Sequence, residues 1–273
     1  MSWRRIGMAI VVAGTLGLAG CSGSSDSRAG TFYGPERALG SGTARTYVVL
    51  AADGNPSEIG LRFSRDALEG LSDRDSHADV SVGTGVFPKS ERYELPAQAK
   101  STAYDHVVVD WAPQGHAPTG TFDKPHFDLR FYLQDPEAVA AIDPTAADYV
   151  ASAATLPEAK YLPPDYVPAG DPATETVPYT GLRWLDSTLP FNPQTFQFTQ
   201  VLINGTWDGR YLFVEPMLTR DWLLTEPRFA GELKQAEAVQ KSGYYASGYA
   251  VRFDDERQEY SVALTGLTAR TAS

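Results

Sequence analysis

Pro125-His126-Phe127-Asp128-Leu129-Arg130-Phe131-Tyr132-Leu133 alternates polar and large apolar side chains without a break. A period of two is the signature of a strand with one face turned to a core. It puts Phe127, Leu129, Phe131 and Leu133 on one side and His126, Asp128, Arg130 and Tyr132 on the other. The second side is read in two ways. It is either a wetted face, as antiparallel sheets commonly have, or a polar-lined pocket inside a sandwich.

Working outward, Tyr104 to Trp111 (YDHVVVDW) is a second strong strand, joined to the first by a Pro/Gly-rich link. Upstream, Thr46 to Ala51 and Glu58 to Phe63 flank the turn signal Asp53-Gly54-Asn55-Pro56 and read as a β-hairpin. Downstream, strands are expected at Thr180 to Leu185, Phe196 to Ile203 and Arg210 to Glu215, with Asn204-Gly205 and Asp208-Gly209 marking the turn between the last two. Tyr245 to Phe253 and Glu259 to Leu267 close the chain around an acidic turn. Short helices are expected at Ser64 to Glu69, where Ser64 is a good N-cap, at Pro136 to Ile142, Thr145 to Ala153 and Thr219 to Leu224. Six prolines between Leu156 and Pro178 mark an extended surface connection. The fold class is therefore mainly β, an antiparallel β-sandwich or barrel-like domain with a few short helices; α+β is the alternative.

The front of the chain carries a different signal. Arg4 and Arg5 precede an apolar run from Ile6 to Leu18, which ends in Leu18-Ala19-Gly20-Cys21. This is the anatomy of a secretory leader, too short to span a bilayer comfortably, and a cysteine at that point is what a lipoprotein needs for acylation. Cys21 is the only cysteine of the chain, so lipidation leaves the folded part without a disulfide. The expected division is a signal peptide over 1–20, a flexible Ser/Gly/Ala-rich tether over 21–42, one β-rich domain over 43–267 and a tail over 268–273. The expected address is the cell envelope, lipid-anchored on the extracytoplasmic side of a bacterial membrane. The net charge of −11, which removal of the leader makes more negative, argues against nucleic acid as a partner.

Catalytic motifs are sparse. The chain has no Gly-x-Ser-x-Gly elbow, no phosphate-cradling glycine loop and no free thiol, so serine, nucleotide and cysteine chemistry lack their usual marks. What remains is histidine with carboxylate. His106 lies on the strand before His126, with Asp110 four residues on and hence on the same face; His116 arrives from the Gly115/Pro118 loop. Neutral imidazoles with an acid suit a divalent ion such as zinc, iron or manganese, although the spacing is generic. His77 falls in the polar stretch 72–90 and reads as solvated. Glu215 closes an apolar strand and needs a partner, for which Arg130 and Arg183 are the candidates.

These segments together resemble an uncharacterised family of bacterial domains with a Thermus-type (TTHB-like) member. The text that carries the resemblance is Arg45 to Leu50 with Glu58-Ile59-Gly60, Asp105 to Trp111, Gly115-His116-x-Pro118, Pro125-His126-Phe127-Asp128, Phe131-Tyr132, Glu215-Pro216-Met217 and Gly243-Tyr244-Tyr245, across residues 43–267. The resemblance implies a ring of His126 and Glu215 with imidazoles at two further positions, which here hold Arg130 and Arg183. Arginine stays protonated and cannot ligate a metal, so a cradle built at those positions would be disabled. The two arginines would instead form a charge network with Asp128 and Glu215, or grip an anion.

The leading expectation is a noncatalytic envelope lipoprotein that binds a small ligand or assembles with itself or an envelope partner, without a resident cofactor. The competing expectation is a cupin-like, metal-dependent enzyme using His116, His126 and Glu215, with Asp128 orienting an imidazole. A purely structural assembly module is the third.

Overall fold

The computed structural model describes Met1 and residues 29–73, 90–116, 120–191 and 195–273. The leader, Cys21 and His77 lie outside the described residues. In chain order the first strands are β1 (Gly30–Tyr33), β2 (Arg37–Leu39), β3 (Gly42–Leu50), β4 (Pro56–Ser64), β5 (Glu91–Glu94), β6 (His106–Ala112), β7 (His126–Tyr132) and β8 (Tyr166–Pro168). They are followed by β9 (Leu182–Asp186), β10 (Gln200–Trp207), β11 (Arg210–Thr219), β12 (Arg228–Glu232), β13 (Gly243–Tyr245), β14 (Gly248–Asp254), β15 (Glu259–Thr265) and β16 (Thr268–Arg270). Among the described residues four short α-helices accompany them: α1 (Pro136–Ala140), α2 (Tyr149–Ala154), α3 (Pro172–Glu175) and α4 (Arg220–Leu223).

Among the described residues the strands form two large antiparallel sheets, mostly β in content and without a closed barrel. One runs β1-β3-β4-β15-β14-β12 with β2 on β3; the other runs β5-β6-β7-β11-β10-β9-β8. Val48, Ile59, Leu61, Phe63, Val251, Val262 and Leu264 of the first pack against Val107, Val109, Phe127, Leu129, Phe131, Val214 and Leu218 of the second in a single buried cluster. The expected hairpin is β3–β4, and the apolar side of Pro125 to Leu133 is the core side of β7. None of the described helices is long and apolar enough to cross a membrane.

Four details differ from expectation. Residues 30–42 do not run free as a tether: Thr31, Phe32 and Tyr33 pair with Val49, Val48 and Tyr47, and Phe32 and Leu39 pack on the core. Those few β-forming side chains complete a sheet edge that the Ser/Gly context concealed. The tail contributes β16, paired with β13. Ser64 caps no helix; its Oγ accepts the Thr43 N–H at 3.1 Å, and the turn that follows, Arg65–Leu68, is a 3₁₀ turn. Asn204-Gly205 is strand, not turn, and the reversal falls on Asp208-Gly209 alone.

Gly205 has its own cause. It pairs with both Arg183 and Phe213, and the ring of Phe213 occupies the place a β-carbon would take. Glycine is needed there for close approach. Replacement of Gly205 by alanine is expected to overpack the outer face of the second sheet and destabilise the fold by about 1–3 kcal/mol, read as a lower urea midpoint with an unchanged m-value.

Candidate functional site

Residues paired across a sheet point to the same side, so the register of β6, β7, β11, β10 and β9 decides which side chains meet. On the outer face of the second sheet, Asp110 lies opposite Asp128, Val108 opposite Arg130, His106 opposite Tyr132 and Ala112 opposite His126. The β7–β11 ladder runs through Phe213↔Tyr132 and Val214↔Phe131, then resumes at Met217↔Asp128. Pro216, which has no N–H to give, falls in the gap, and there Glu215 stands beside Arg130.

This face is neither wet nor inside the sandwich. It points away from the first sheet, yet His126, Asp128 and Glu215 are fully buried and Arg130 and Asp110 nearly so. One end is covered by Val139 and Ile142 with Tyr149. The other is covered by Phe122 and Phe198, with Phe191 and Phe196 behind them. The ring of Phe198 meets His126 edge-on at 5.1 Å, and Phe122 meets His116 at 6.0 Å. The helical segment and the aromatic loops thus replace water over the polar side of β7.

Within this cover the charges pair with one another. Arg130 binds Asp110 through Nη1, Asp128 through Nη2 at 3.2 Å, and faces Glu215 through Nε at 3.1 Å. Arg183 reaches over from β9, across Gly205, to Asp128 at 3.1 Å and Glu215 at 3.6 Å. Burial would lower the Arg130 guanidinium, but Glu215 and Asp110 hold it well above its ordinary value. Three carboxylates face two guanidinium groups, so with neutral imidazoles the cluster carries a net negative charge. An anionic ligand is therefore disfavoured, and the grip on an anion that Arg130 and Arg183 suggested is not what this arrangement offers.

Asp128 is the centre. Its Oδ1 faces His126 Nε2 at 3.1 Å and its Oδ2 faces His116 Nε2 at 3.3 Å, while the two imidazoles meet edge-on with centroids 4.7 Å apart. Burial opposes ionisation of Asp128, but His116 and His126 hold its carboxyl well below the usual range. His116 is itself pushed down by burial and by Arg183, against the pull of Asp128. The donor set that can hold a divalent ion is therefore His116, His126 and Asp128, whose ligand atoms all lie within 4.8 Å of one another. Glu215 is not part of it: both of its oxygens face arginine. Asp128 supplies a donor atom instead of orienting an imidazole from behind.

His106 stands apart. Its ring stacks on Tyr132 at 4.9 Å and its Nδ1 lies 3.0 Å from Asp105. One participant has a different partner from the one expected, and one escaped the sequence reading. Asp110, on the face of His106, serves Arg130. The Lys124 carbonyl, 2.6 Å from His126 Nδ1, leaves no mark in side-chain patterns at all.

A recess of about 60 Å³ opens elsewhere, lined by Tyr104, Tyr166, Asn204, Tyr211 and Tyr245 among others. It has room for a water or two, against the few hundred Å³ of ordinary organic-ligand pockets.

Residues 52–111 fit the model of the TTHB210-like family, described as hypothetical protein TTHB210. The matched stretch ends with Trp111 in β6, so it includes His106 and Asp110 but stops short of His116, His126 and Asp128. No curated protein and no solved structure matches the chain.

Two outcomes follow from the pairing. Arg130→Met leaves Asp110, Asp128 and Glu215 without their shared cation and is expected to destabilise the protein by about 3–5 kcal/mol, measured by urea denaturation. Stability should also fall in acid. His106, like His116, is held by burial below the ordinary imidazole value, so the folded protein takes up these protons less readily than the unfolded chain. The stabilisation is whole above the unfolded value of about 6.5 and declines as pH drops below it. Asp128 acts in the same direction at lower pH, its contribution being lost as pH falls from its unfolded value towards its depressed folded one. The urea midpoint is expected to be lower at about pH 5 than at about pH 7.5, with no gain from these groups at higher pH.

Proposed function

We propose that this protein is a lipid-anchored domain of the bacterial envelope that works by holding a small ligand and not by catalysis. The observation that carries the binding reading is the closed pairing around Asp128: Arg130 and Arg183 engage the buried carboxylates, leaving two imidazoles turned to Asp128 as donors, His126 fully buried and His116 partly exposed. General acid–base chemistry needs a titratable group within reach of a reacting atom. Here access is narrow, with His116 12% and Arg183 14% exposed. The competing reading, an enzyme with Glu215 among its metal ligands, loses support because Glu215 is committed to the two arginines.

The address rests on the leader ending in Leu18-Ala19-Gly20-Cys21. It accords with the place where the body begins: β1 starts at Gly30, leaving the short polar stretch after Cys21 between lipid and sheet. The net negative charge of the cluster favours a small, positively charged ligand over an organic anion. Intact-mass measurement of protein extracted from membranes is expected to find residues 1–20 removed and a diacylglyceryl group on Cys21. An unmodified Cys21, or an attached leader, would contradict the anchor.

A further inference from the structure

His126 decides what fits beside Asp128. A carbonyl oxygen only accepts, so the 2.6 Å contact with Lys124 makes Nδ1 of His126 the protonated nitrogen. In the neutral ring Nε2 then carries the lone pair. It is fully buried, has no hydrogen-bond partner and is directed at a carboxylate oxygen 3.1 Å away. Two electron-pair donors facing each other in a dry site repel unless a positive charge lies between them. We propose that the charge is a divalent transition-metal ion of the zinc class, held by His116 Nε2, His126 Nε2 and Asp128.

Three observations support a metal over a bare charge. Two ligands about 2.0–2.1 Å from a tetrahedral ion lie about 3.3 Å apart, and each imidazole stands near that separation from one oxygen of Asp128, His126 at 3.1 Å from Oδ1 and His116 at 3.3 Å from Oδ2, with one donor atom from each residue lying within 4.8 Å of the others. The ligand His116 is carried by a loop, so it can close the remaining distance without disturbing the sheet. The surroundings are those of a metal ligand shell: a backbone carbonyl fixes the tautomer of His126, and Arg130 and Arg183 fix the orientation of Asp128 through Oδ2. Two nitrogens and one carboxylate suit zinc or its first-row neighbours, whereas magnesium and calcium require oxygen shells. The arginines therefore do not disable the site. They hold Glu215 out of the ligand set and leave Asp128 in its place beside His116 and His126, and the three carboxylates around them offset their charge.

This inference rests on the binding reading and names its ligand. The test uses the untagged protein, stripped with a chelator and titrated with zinc chloride in a calorimeter, together with cobalt(II) absorption spectra. One equivalent of zinc is expected to bind, with visible cobalt bands of a nitrogen/oxygen site. His116→Ala should weaken zinc binding at least about tenfold while leaving the circular dichroism unchanged, since His116 lies outside the sheet. The inference is overturned if the wild type takes up no zinc at about 100 µM, if His116→Ala binds as tightly as the wild type, or if nitrogen NMR shows His126 doubly protonated and unaltered by zinc. In each case a lipid found on Cys21 would leave the membrane address standing and remove the metal alone.

Discussion

The ion pairs of Arg130 are the constraint on which the outer face of the second sheet depends. One guanidinium, almost wholly buried, meets carboxylates from β6, β7 and β11. Three adjacent strands thereby acquire a charge on a face that is covered by aromatic and aliphatic segments. Such a network yields little net stability compared with a well-packed apolar one, because its desolvation cost is large. What it supplies is position. Arg130 and Arg183 fix Asp128 through Oδ2, its Oδ1 faces His126 and its Oδ2 faces His116, so the sheet positions Asp128 and His126 while a loop brings His116.

The two faces of β7 show how far sequence reaches. Alternation in Pro125 to Leu133 sorted its side chains correctly, and the apolar set is the core of the sandwich. The alternation says nothing about what lies beyond the second face, since water and a covering loop leave the same pattern in the strand itself. Phe122 and Phe198, which seal it, come from segments far apart in the chain. Sequence left open whether His116, His126, Asp128, Arg130, Arg183 and Glu215 meet, and it held no sign of how the set divides internally or that His106 stands apart. Glu215 faces arginine alone, whereas Asp128 is shared between arginine and histidine, and Pro216 interrupts the ladder where Glu215 stands. Register across strands set that outcome, and no local spacing encodes it.

The same holds for the elements. The central strands, rich in Val, Phe and Tyr, were legible from composition. The edge strands β1, β2, β5 and β12 were not, because their burial is partial and their neighbours supply most of the order. Gly205 illustrates the reverse error. A dipeptide that favours turns sits within a strand since the ring of Phe213 leaves no room for a side chain at Gly205. The likeness of residues 52–111 to the TTHB210-like family covers the hairpin and the first strand of the site, while the imidazoles and the central carboxylate belong to the segment beyond it.

The central claim is that Arg130 and the carboxylates around it act as one unit. A double-mutant cycle between Arg130→Gln and Glu215→Gln, each followed by urea denaturation, tests it most directly. The account predicts a coupling of about 1 kcal/mol or more, the double variant being less damaged than the sum of the single ones. Additivity within about 0.5 kcal/mol would contradict it.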